Sequence, residues 1–391
     1  MKVDQALWPW RRSHLIHQIE ALPLVDHHVH SVFDRDLTRA ELEASITEAP
    51  RGPAAPHSQF DSQLGFALRR YCAPVLGLPP FADPDKYLAH RKRLGFRSVT
   101  RRLTRAAGIS AYCLDGGYRS DQLMAENTFG ELSGATVHRI VRLETVAEQA
   151  VTGSVSGEDF LRRLANMLDD YGSRAVGYKT VAAYRCGLAL DPARPTDTEI
   201  LAAAARWHGQ VTGGDAPRLK DAVLTRHLIW WALEQGKPLQ VHTGFGDPDL
   251  TLRMADPALL QPLIARSERT AGKLVLLHCY PFERSAGYLA HAYPHVYLDT
   301  GLAVNYLGAN AESLLRSAMD LTPFHKLLFS TDAWGLPELV YLGARLWRTA
   351  TARVLAEYVR REDWPIAEAV RVARMAGSEN ARAVYSLGRG Y

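Results

Sequence analysis

Residues 26–30, Asp-His-His-Val-His, place three histidines and an aspartate directly after an apolar run that is typical of a buried strand. On a strand, His28 and His30 point to the same face because side chains alternate. Three further apolar runs, PLQVH, LVLLH and LLFSTD, end in a potential ligand: His242, His278 and Asp332. Imidazoles and carboxylates are ligands of zinc, manganese and iron. The pattern predicts one divalent metal site gathered from distant parts of the chain.

The other two residues of this stretch have different predicted roles. His27 is expected to point away from His28, toward surrounding helices, as a packed or hydrogen-bonded side chain. Asp26 shares the ligand face one step deeper, where its carboxylate could orient a ligand imidazole or contact a metal-bound group.

Ligands so far apart in sequence need a fold that brings strand ends together. Eight apolar runs alternate with helical patterns, which predicts an α/β fold of the (β/α)8 TIM-barrel type, forming a single domain over residues 1–391. The runs are PLVDHHV, ISAYCLDG, TVHRIVRL, AVGYKTV, PLQVHT, LVLLHC, VYLDTGL and LLFSTD. In this fold the carboxyl ends of the strands form the mouth of the barrel, where active sites are built.

One connection is too long for a simple crossover. Residues 31–107 separate the first two predicted strands, begin with a Pro-rich stretch at 49–56, and continue with helical patterns. We interpret 31–107 as a helical insertion over the barrel mouth, because loops after the strands build the site in this fold. Another gap, between the fourth and fifth strands, is expected to be filled by helix over 195–237.

Composition excludes several classes of function. The net charge of +4 is spread along the chain, and its longest basic cluster, 91–105, has no interleaved aromatic residues, so we expect no nucleic-acid partner. No stretch approaches 18 uninterrupted apolar residues, so no membrane span is expected. The four cysteines form no CxxC pair, which favours a reducing cytoplasm over a disulfide framework. The expected partner is a small-molecule substrate, and homo- or hetero-oligomers remain open.

Four segments carry a family resemblance: DHHVH, VHTGFGD, LLHCYPF and FSTDAWG. They are similar to the metal-binding motifs of the amidohydrolase superfamily, in particular its amidohydrolase-2 branch. GYKTVAAYRCGL and LLHCYPFERSAGYLAHAYPHVYLDTGL resemble the amidohydrolase domain of nodulin and FluG type proteins, and the likeness covers most of residues 20–385. Such proteins can carry a fused glutamine-synthetase-like domain, and none is expected within these 391 residues.

The resemblance implies roles for two residues. In binuclear members a lysine ending the fourth strand is carboxylated and bridges two metals, and VGYKTV places Lys179 at the corresponding position. The alternative is a protonated Lys179 that anchors substrate or forms a structural ion pair. The metal set is then His28, His30, Lys179, His242, His278 and Asp332, holding one or two divalent ions, with zinc favoured and manganese or iron open. Asp332 is expected to act as general base and acid toward a metal-activated water.

The sequence predicts the substrate-binding residues less specifically than the metal ligands. Arg185 follows the fourth strand, while Arg142 and Glu144 end the third, and an arginine fork suits a carboxylate. The family likeness implies an amino-acid-like or γ-glutamyl-type substrate, whose ammonium would need an acidic partner. Arg142 and Glu144 could equally pair with each other. Tyr118 is expected in the pocket lining, with Tyr184 and Trp334 as further candidates.

The function expected from these residues is metal-dependent hydrolysis of a C–N bond, amide or γ-glutamyl-type, in a small amino-acid-like compound. Three alternatives remain open at this point. They are an iron- or manganese-dependent oxygenase acting on a small amino acid, a mononuclear-metal decarboxylase of aromatic acids, and a metal-bearing subunit that scaffolds a catalytic homologue.

Overall fold

The structure, a computed structural model, describes residues 8–54 and 56–388; both ends of the predicted domain, 1–7 and 389–391, lie outside the described residues, as does residue 55. Within this part of the chain, seven parallel strands form one sheet in chain order. They are β1 (Leu24–Val29), β2 (Ile109–Asp115), β3 (Thr136–Arg142), β4 (Ala175–Thr180), β5 (Leu239–Thr243), β6 (Leu274–His278) and β7 (Val296–Leu298).

The strands are short apolar runs that are covered on both faces. All positions of β1, β5 and β6 are buried, as expected for a parallel sheet whose crossover connections place helices against it. Each strand pairs in parallel with the next strand along the chain, so every carboxyl end points to the same edge of the sheet. This edge is where the predicted ligands lie.

The eighth predicted strand, LLFSTD, is not a regular strand, but its backbone joins the two edges of the curled sheet. On one side, the Leu328 amide donates to the Leu298 carbonyl of β7 at 2.9 Å. On the other, the His27 amide of β1 donates to Phe329 at 3.2 Å, and the Asp332 amide donates to the His28 carbonyl at 3.1 Å. Residues 327–333 are therefore held between β7 and β1.

Helices fill the connections between the strands. They are α1 (Trp8–Glu20), α2 (Arg39–Ala44), α3 (Gln63–Ala67), α4 (Ala73–Leu76), α5 (Pro84–Leu94), α6 (Phe96–Ala106), α7 (Glu126–Ser133), α8 (Leu143–Thr152), α9 (Gly157–Ser173), α10 (Asp197–Thr212), α11 (Ala222–Glu234), α12 (Gln261–Ser267), α13 (Glu283–Ala292), α14 (Ala303–Leu307), α15 (Ala311–Met319), α16 (Pro337–Arg360), α17 (Ile366–Arg374) and α18 (Asn380–Val384). None of the described helices is both long and apolar enough to cross a membrane.

Local sequence signals explain where several helices begin. Thr38 and Thr196 each cap a helix while a glutamate three residues later reaches back to the cap, which satisfies two amides that the first turn leaves without partners. The helix α10 begins in this way. Together with α11, it fills the gap between β4 and β5, as the sequence predicts.

The connection between β1 and β2 contains α2 to α6 and is fixed to α16 by a buried ion pair. Arg91 of α5 donates to Glu338 Oε1 at 2.7 Å, and the Tyr87 hydroxyl donates to the same oxygen at 3.0 Å. Glu338 is fully buried, so removing Arg91 would leave an uncompensated charge at a cost of about 3–5 kcal/mol.

The apolar core has two parts. The larger one packs the helices against the outside of the sheet. The smaller one joins Val25, Cys113, Ile140, Leu277 and Tyr385. Because these side chains come from β1, β2, β3 and β6, which are not all neighbours, the smaller cluster lies inside the curled sheet.

Candidate metal centre

Asp332 lies at the centre of a group of histidines at the carboxyl edge of the sheet. Its Oδ1 is 2.9 Å from His28 Nε2 and 3.5 Å from His30 Nε2. Its Oδ2 is 3.4 Å from His278 Nε2. Residues from β1, from the end of β6 and from the segment after β7 therefore meet at one carboxylate.

The other two predicted ligands lie beside this group. Lys179 Nζ, at the end of β4, is 3.2 Å from His28 Nε2. The ring of His242, at the end of β5, has its centroid 4.6 Å from that of His278. All six predicted ligands are thus near one another, and we name them the metal cluster: His28, His30, Lys179, His242, His278 and Asp332.

Burial keeps the imidazoles of His28, His242 and His278 neutral. It lowers the pKa of His28 to about 3 and that of His278 to about 4, with the neighbouring Lys179 acting in the same direction. The pKa of His242 is lowered well below its usual range for the same reason. A neutral imidazole has a free lone pair, which is the form that ligates a metal.

Several of these nitrogens have no hydrogen-bond partner among the described residues. They are His28 Nδ1, His242 Nε2 and both nitrogens of His278. Buried polar atoms are nearly always paired, so unpaired nitrogens in one place need an explanation such as an ion. Ligand atoms of His28, His278 and Asp332 also lie within 4.8 Å of one another. The residues present therefore fit a divalent metal.

Asp332 is ionised, whereas burial brings Lys179 close to losing its proton. Burial alone would raise the pKa of Asp332, but His278 and His28 lower it well below its ordinary value, so the carboxylate is ionised. Burial lowers the pKa of Lys179 to about 8, which brings a neutral amine close to physiological pH. Only the neutral amine can react with CO₂ or ligate a metal.

The backbone at the cluster is strained. His278, Cys279 and Asp332 have φ values of 69°, 63° and 48°, in the left-handed region that non-glycine residues rarely adopt. Such conformations persist where surrounding contacts impose them and are concentrated at functional sites. At His278 one imposing contact is visible, since its amide donates to Asp299 Oδ1 at 2.6 Å.

Asp115, at the end of β2, is a candidate ligand that the sequence analysis missed. Its carboxylate, His28 and His30 form a second group whose ligand atoms lie within 4.8 Å of one another. Its backbone carbonyl is 2.7 Å from His30 Nδ1, an arrangement that leaves His30 Nε2 facing the cluster. The available signal was the one used for His242: Asp115 ends an apolar run, ISAYCLD.

A second buried polar cluster adjoins the first, and most of its polar atoms contact one another, with Gln240 Oε1 left unpaired among the described residues. His27 Nε2 is 2.8 Å from Asp299 Oδ2, and its Nδ1 is 3.0 Å from the Tyr385 hydroxyl. Gln240 Nε2 donates to that hydroxyl at 2.9 Å. Asp26 accepts from the Thr331 amide at 3.0 Å and from its hydroxyl at 2.5 Å. We name these six residues the supporting network: Asp26, His27, Gln240, Asp299, Thr331 and Tyr385.

His27 and Asp26 differ from their predicted placements. His27 is hydrogen-bonded, as expected, but inside the curled sheet instead of among the outer helices. Val25, two positions earlier, also lies inside the curled sheet, so His27 follows the alternation of β1, and the register irregularity lies between Asp26 and Val29, around His28. Asp26 makes no contact with a ligand imidazole; it accepts from the His28 amide at 3.4 Å, and burial raises its pKa to about 8.

The predicted substrate residues lie around the cluster with protein partners of their own. Arg142 donates to Asp115 Oδ2 at 2.6 Å through Nη2, and its guanidinium carbon is 5.5 Å from the centre of the Tyr118 ring. Burial would raise the pKa of Asp115, but Arg142 lowers it below its usual range. Arg185 Nη2 is 3.0 Å from Glu148.

Glu144 is fully buried and binds the chain just after Lys179. Its Oε1 accepts from the Thr180 hydroxyl at 2.5 Å and from the Val181 amide at 3.0 Å. Arg142 forms its ion pair with Asp115 instead of Glu144. These contacts support β4 at the point where Lys179 enters the site.

Aromatic side chains line the two sides of the site. Tyr118 is 5.7 Å from Trp334 and 6.2 Å from His30 between ring centres. On the other side, Tyr184 is 4.6 Å from His242. A Cβ at Gly246 would lie 1.9 Å from the Tyr184 hydroxyl and 3.2 Å from His242 Nε2, so glycine allows these groups to approach.

Comparisons with known proteins agree with this geometry. The amidohydrolase family profile matches residues 126–387, more than half of the chain. The chain is 31% identical over 418 residues to protein fluG of Emericella nidulans, an alignment that covers 96% of this chain and 47% of fluG. The chain therefore spans about half the length of this relative.

Two solved structures have the same overall architecture. A protein from Lactobacillus casei ATCC 334, described as a candidate metal-dependent hydrolase, superposes with a TM-score of 0.84 at 26% identity, covering 95% of this chain and 97% of that one. A uronate isomerase from Bacillus halodurans C-125 has a TM-score of 0.66 at 12% identity, with 98% of each chain covered, a likeness that shows the fold alone. The chain belongs to the amidohydrolase family, in its amidohydrolase-2 branch, and resembles fluG.

Proposed function

We propose that this protein is a metal-dependent hydrolase that cleaves a C–N bond, amide or γ-glutamyl-type, in a small amino-acid-like substrate. One observation carries the proposal: ionised Asp332 meets neutral His28 and His278, and in the described part of the chain His28 Nδ1 and His242 Nε2 have no hydrogen-bond partner. Membership of the amidohydrolase family supports the same reaction class. His28, His278 and Asp332 have ligand atoms within 4.8 Å of one another, and His30, His242 and Lys179 lie beside them.

The donor set suits zinc first, and manganese or iron second, because it combines imidazoles with a carboxylate. A divalent metal at this site would lower the pKa of a bound water and polarise the scissile carbonyl. Asp332 then accepts the proton of the attacking water at a carboxylate oxygen and passes it to the leaving nitrogen. Its depressed pKa keeps the carboxylate ionised, which is the form that can accept a proton.

Lys179 is proposed to be carboxylated and to bridge two metals. Its lowered pKa favours the neutral amine that reacts with CO₂, and its Nζ is 3.2 Å from His28 Nε2. Lys179→Ala should then reduce the metal content from two ions to one, whereas Lys220→Ala, at an exposed position, should leave it unchanged. Equal metal content in wild type and Lys179→Ala would contradict the bridge.

For substrate recognition we propose Arg142 and Arg185 as carboxylate partners and Tyr118 as part of the pocket wall. Tyr118 contacts both Arg142 and His30, and Arg185 directly follows Tyr184, whose ring contacts His242. Glu144 stays a weaker candidate, since its Oε1 is engaged by Thr180 and Val181. We also interpret the sheet together with residues 327–333 as a closed (β/α)8 barrel, with 31–107 as a helical insertion over its mouth.

The function is tested by assaying protein loaded with zinc, manganese or iron against a panel of amides and γ-glutamyl compounds. Asp332→Asn should lower kcat by about 10²–10⁴-fold, the range for losing a general acid-base. Asp215→Asn, at an exposed position, is the matched control and should not change kcat. Failure of every loaded form to hydrolyse any panel member, or CO₂ release or O₂ uptake in place of hydrolysis, would contradict the proposal.

A further inference from the structure

We propose that Glu48 binds the positively charged amino group of the substrate. The subsite lies beside the metal cluster and is formed by Glu48, Asp247, Tyr184 and Tyr306. The inference rests on the proposed function in one respect, namely that the substrate occupies the space at the metal cluster. It adds a recognition residue, from the connection between β1 and β2, that the sequence analysis did not single out.

Contacts place Glu48 at the carboxyl edge of the sheet. It follows α2, and the Tyr306 hydroxyl of α14 donates to its Oε1 at 2.7 Å. The ring of Tyr306 lies 5.2 Å from that of Phe245, which follows β5. Loops after β1, β5 and β7 therefore meet at Glu48, on the face of the fold where such proteins build their sites.

Glu48 has no counter-ion in the described part of the chain. Burial raises its pKa to about 7 against the hydrogen bond from Tyr306, and the carboxylate of Asp247 acts in the same direction. Within the described residues, neither Glu48 nor Asp247 forms an ion pair with a lysine, arginine or histidine. A half-buried carboxylate without a counter-ion is costly, and a cationic ligand would remove that cost.

Gly246 connects this wall to the metal cluster. A Cβ at Gly246 would lie 1.9 Å from the Tyr184 hydroxyl and 3.2 Å from His242 Nε2, so both groups face the residue next to Asp247. Tyr306, which donates to Glu48, contacts Phe245, the residue before Gly246. Glu48 and the proposed metal ligand His242 therefore lie on the same side of the site.

Glu48 is better placed for this role than Glu144. Glu144 also has a carboxylate oxygen, Oε2, without a hydrogen-bond partner among the described residues, but Glu144 is fully buried and closed to solvent, and its Oε1 holds Thr180 and Val181. Glu48 is half-buried, and among the described residues Tyr306 is the partner that donates a hydrogen bond to it. Its second oxygen is therefore free to accept from an ammonium, a charge-assisted bond that is about twice as strong as a neutral one.

The test compares ligands that differ only in the amino group. Binding of L-glutamate and of glutarate to the zinc-loaded protein is measured by calorimetry for wild type, Glu48→Gln and the exposed control Glu268→Gln. Wild type and the control should prefer L-glutamate by about 10-fold or more, the effect of one hydrogen bond between charged groups. Glu48→Gln should lose that preference while its Kd for glutarate stays within about 3-fold.

A second variant guards against misfolding of Glu48→Gln. Tyr306→Phe keeps the carboxylate and should retain part of the preference for L-glutamate. A wild type that binds both ligands equally, or a Glu48→Gln variant that still prefers L-glutamate, would overturn the inference. Turnover is read separately, with γ-glutamyl-p-nitroanilide and glutaryl-p-nitroanilide. A binding preference without hydrolysis of either anilide would reject the proposed hydrolase function and leave the role of Glu48 standing.

Discussion

The metal cluster and the supporting network are both buried groups of histidine and aspartate, yet they differ in how their polar atoms are used. In the network, the His27 nitrogens lie 2.8 Å from Asp299 Oδ2 and 3.0 Å from the Tyr385 hydroxyl, and Asp299 accepts at both oxygens. The exceptions are Gln240 Oε1, which has no hydrogen-bond partner among the described residues, and His27 Nε2, whose contact with Asp299 is an ion-pair distance outside hydrogen-bond geometry. In the cluster, His28, His242 and His278 keep nitrogens without partners in the described part of the chain. Paired polar groups stabilise a fold, whereas unpaired ones at one point indicate a missing ligand.

The two regions are also connected. Asp299 accepts from the His278 amide at 2.6 Å and from the Gly301 amide at 3.2 Å, while Ser330 donates to its other oxygen. Asp26 binds Thr331, the neighbour of Asp332. The supporting network thus fixes the backbone that carries two of the metal cluster's residues, which lets the cluster keep its own side chains free.

Breaking the network should produce the largest effect on stability. Asp299→Asn removes a buried carboxylate that pairs with His27 and holds the amide of His278. Because one partner of a buried pair is lost, the free energy of unfolding should fall by about 3–5 kcal/mol. Urea unfolding measures it, with the exposed Asp215→Asn expected to change by less than about 0.5 kcal/mol. A loss as small as that of the control would mean that the network does not stabilise the fold.

Zinc should stabilise the protein by binding to the metal cluster, and the supporting network should not contribute to this effect. Zinc at 100 times its Kd should raise the free energy of unfolding of the metal-free protein by about 2.7 kcal/mol. His278→Ala should lose most of this increase, and Tyr385→Phe, which alters the network alone, should keep it. Thermal unfolding with and without zinc gives the comparison, and equal responses of the two variants would contradict the division between the regions.

The smallest effect is expected from trimming the network at its edge. Tyr385→Phe removes the hydroxyl that contacts His27 Nδ1 and accepts from Gln240 Nε2. The free energy of unfolding should fall by about 1–3 kcal/mol, since buried partners are left unpaired. Tyr288→Phe is the control, because Tyr288 is 47% exposed. If Tyr385→Phe leaves the metal content unchanged, the supporting network stabilises the fold without affecting metal binding. Loss of metal would show that the network also controls the site.

Much of the cluster could be predicted because parallel strands bring their carboxyl ends to one edge. His28, His242 and His278 each end an apolar run, and this alone places them together. The pairing of residues in the interior could not be predicted this way. His27 shares the inward face of Val25, a face that the sequence alone assigned to His28. The ion-pair partner of Arg142, at the end of β3, is Asp115, at the end of the neighbouring strand β2.

Glu48 shows the other limit of sequence reasoning. It lies in an irregular stretch after α2, with no periodicity, and its position is set by Tyr306, 258 residues away. The segment 327–333 is similar: its apolar run predicts a strand, but the positive φ at Asp332 and the contacts of this segment on both sides give it an irregular backbone. The positions of such residues are set by long-range contacts between loops, which sequence patterns do not show.

The most direct test of the account is the metal content of protein purified without added metal, measured by mass spectrometry for wild type and for the double variant His28→Ala/His278→Ala. Wild type should contain about one or two divalent ions per chain, because imidazole and carboxylate side chains bind such ions. The double variant should lose nearly all of this metal. A wild type that is free of metal and takes up no zinc, manganese or iron when these are supplied would contradict the account.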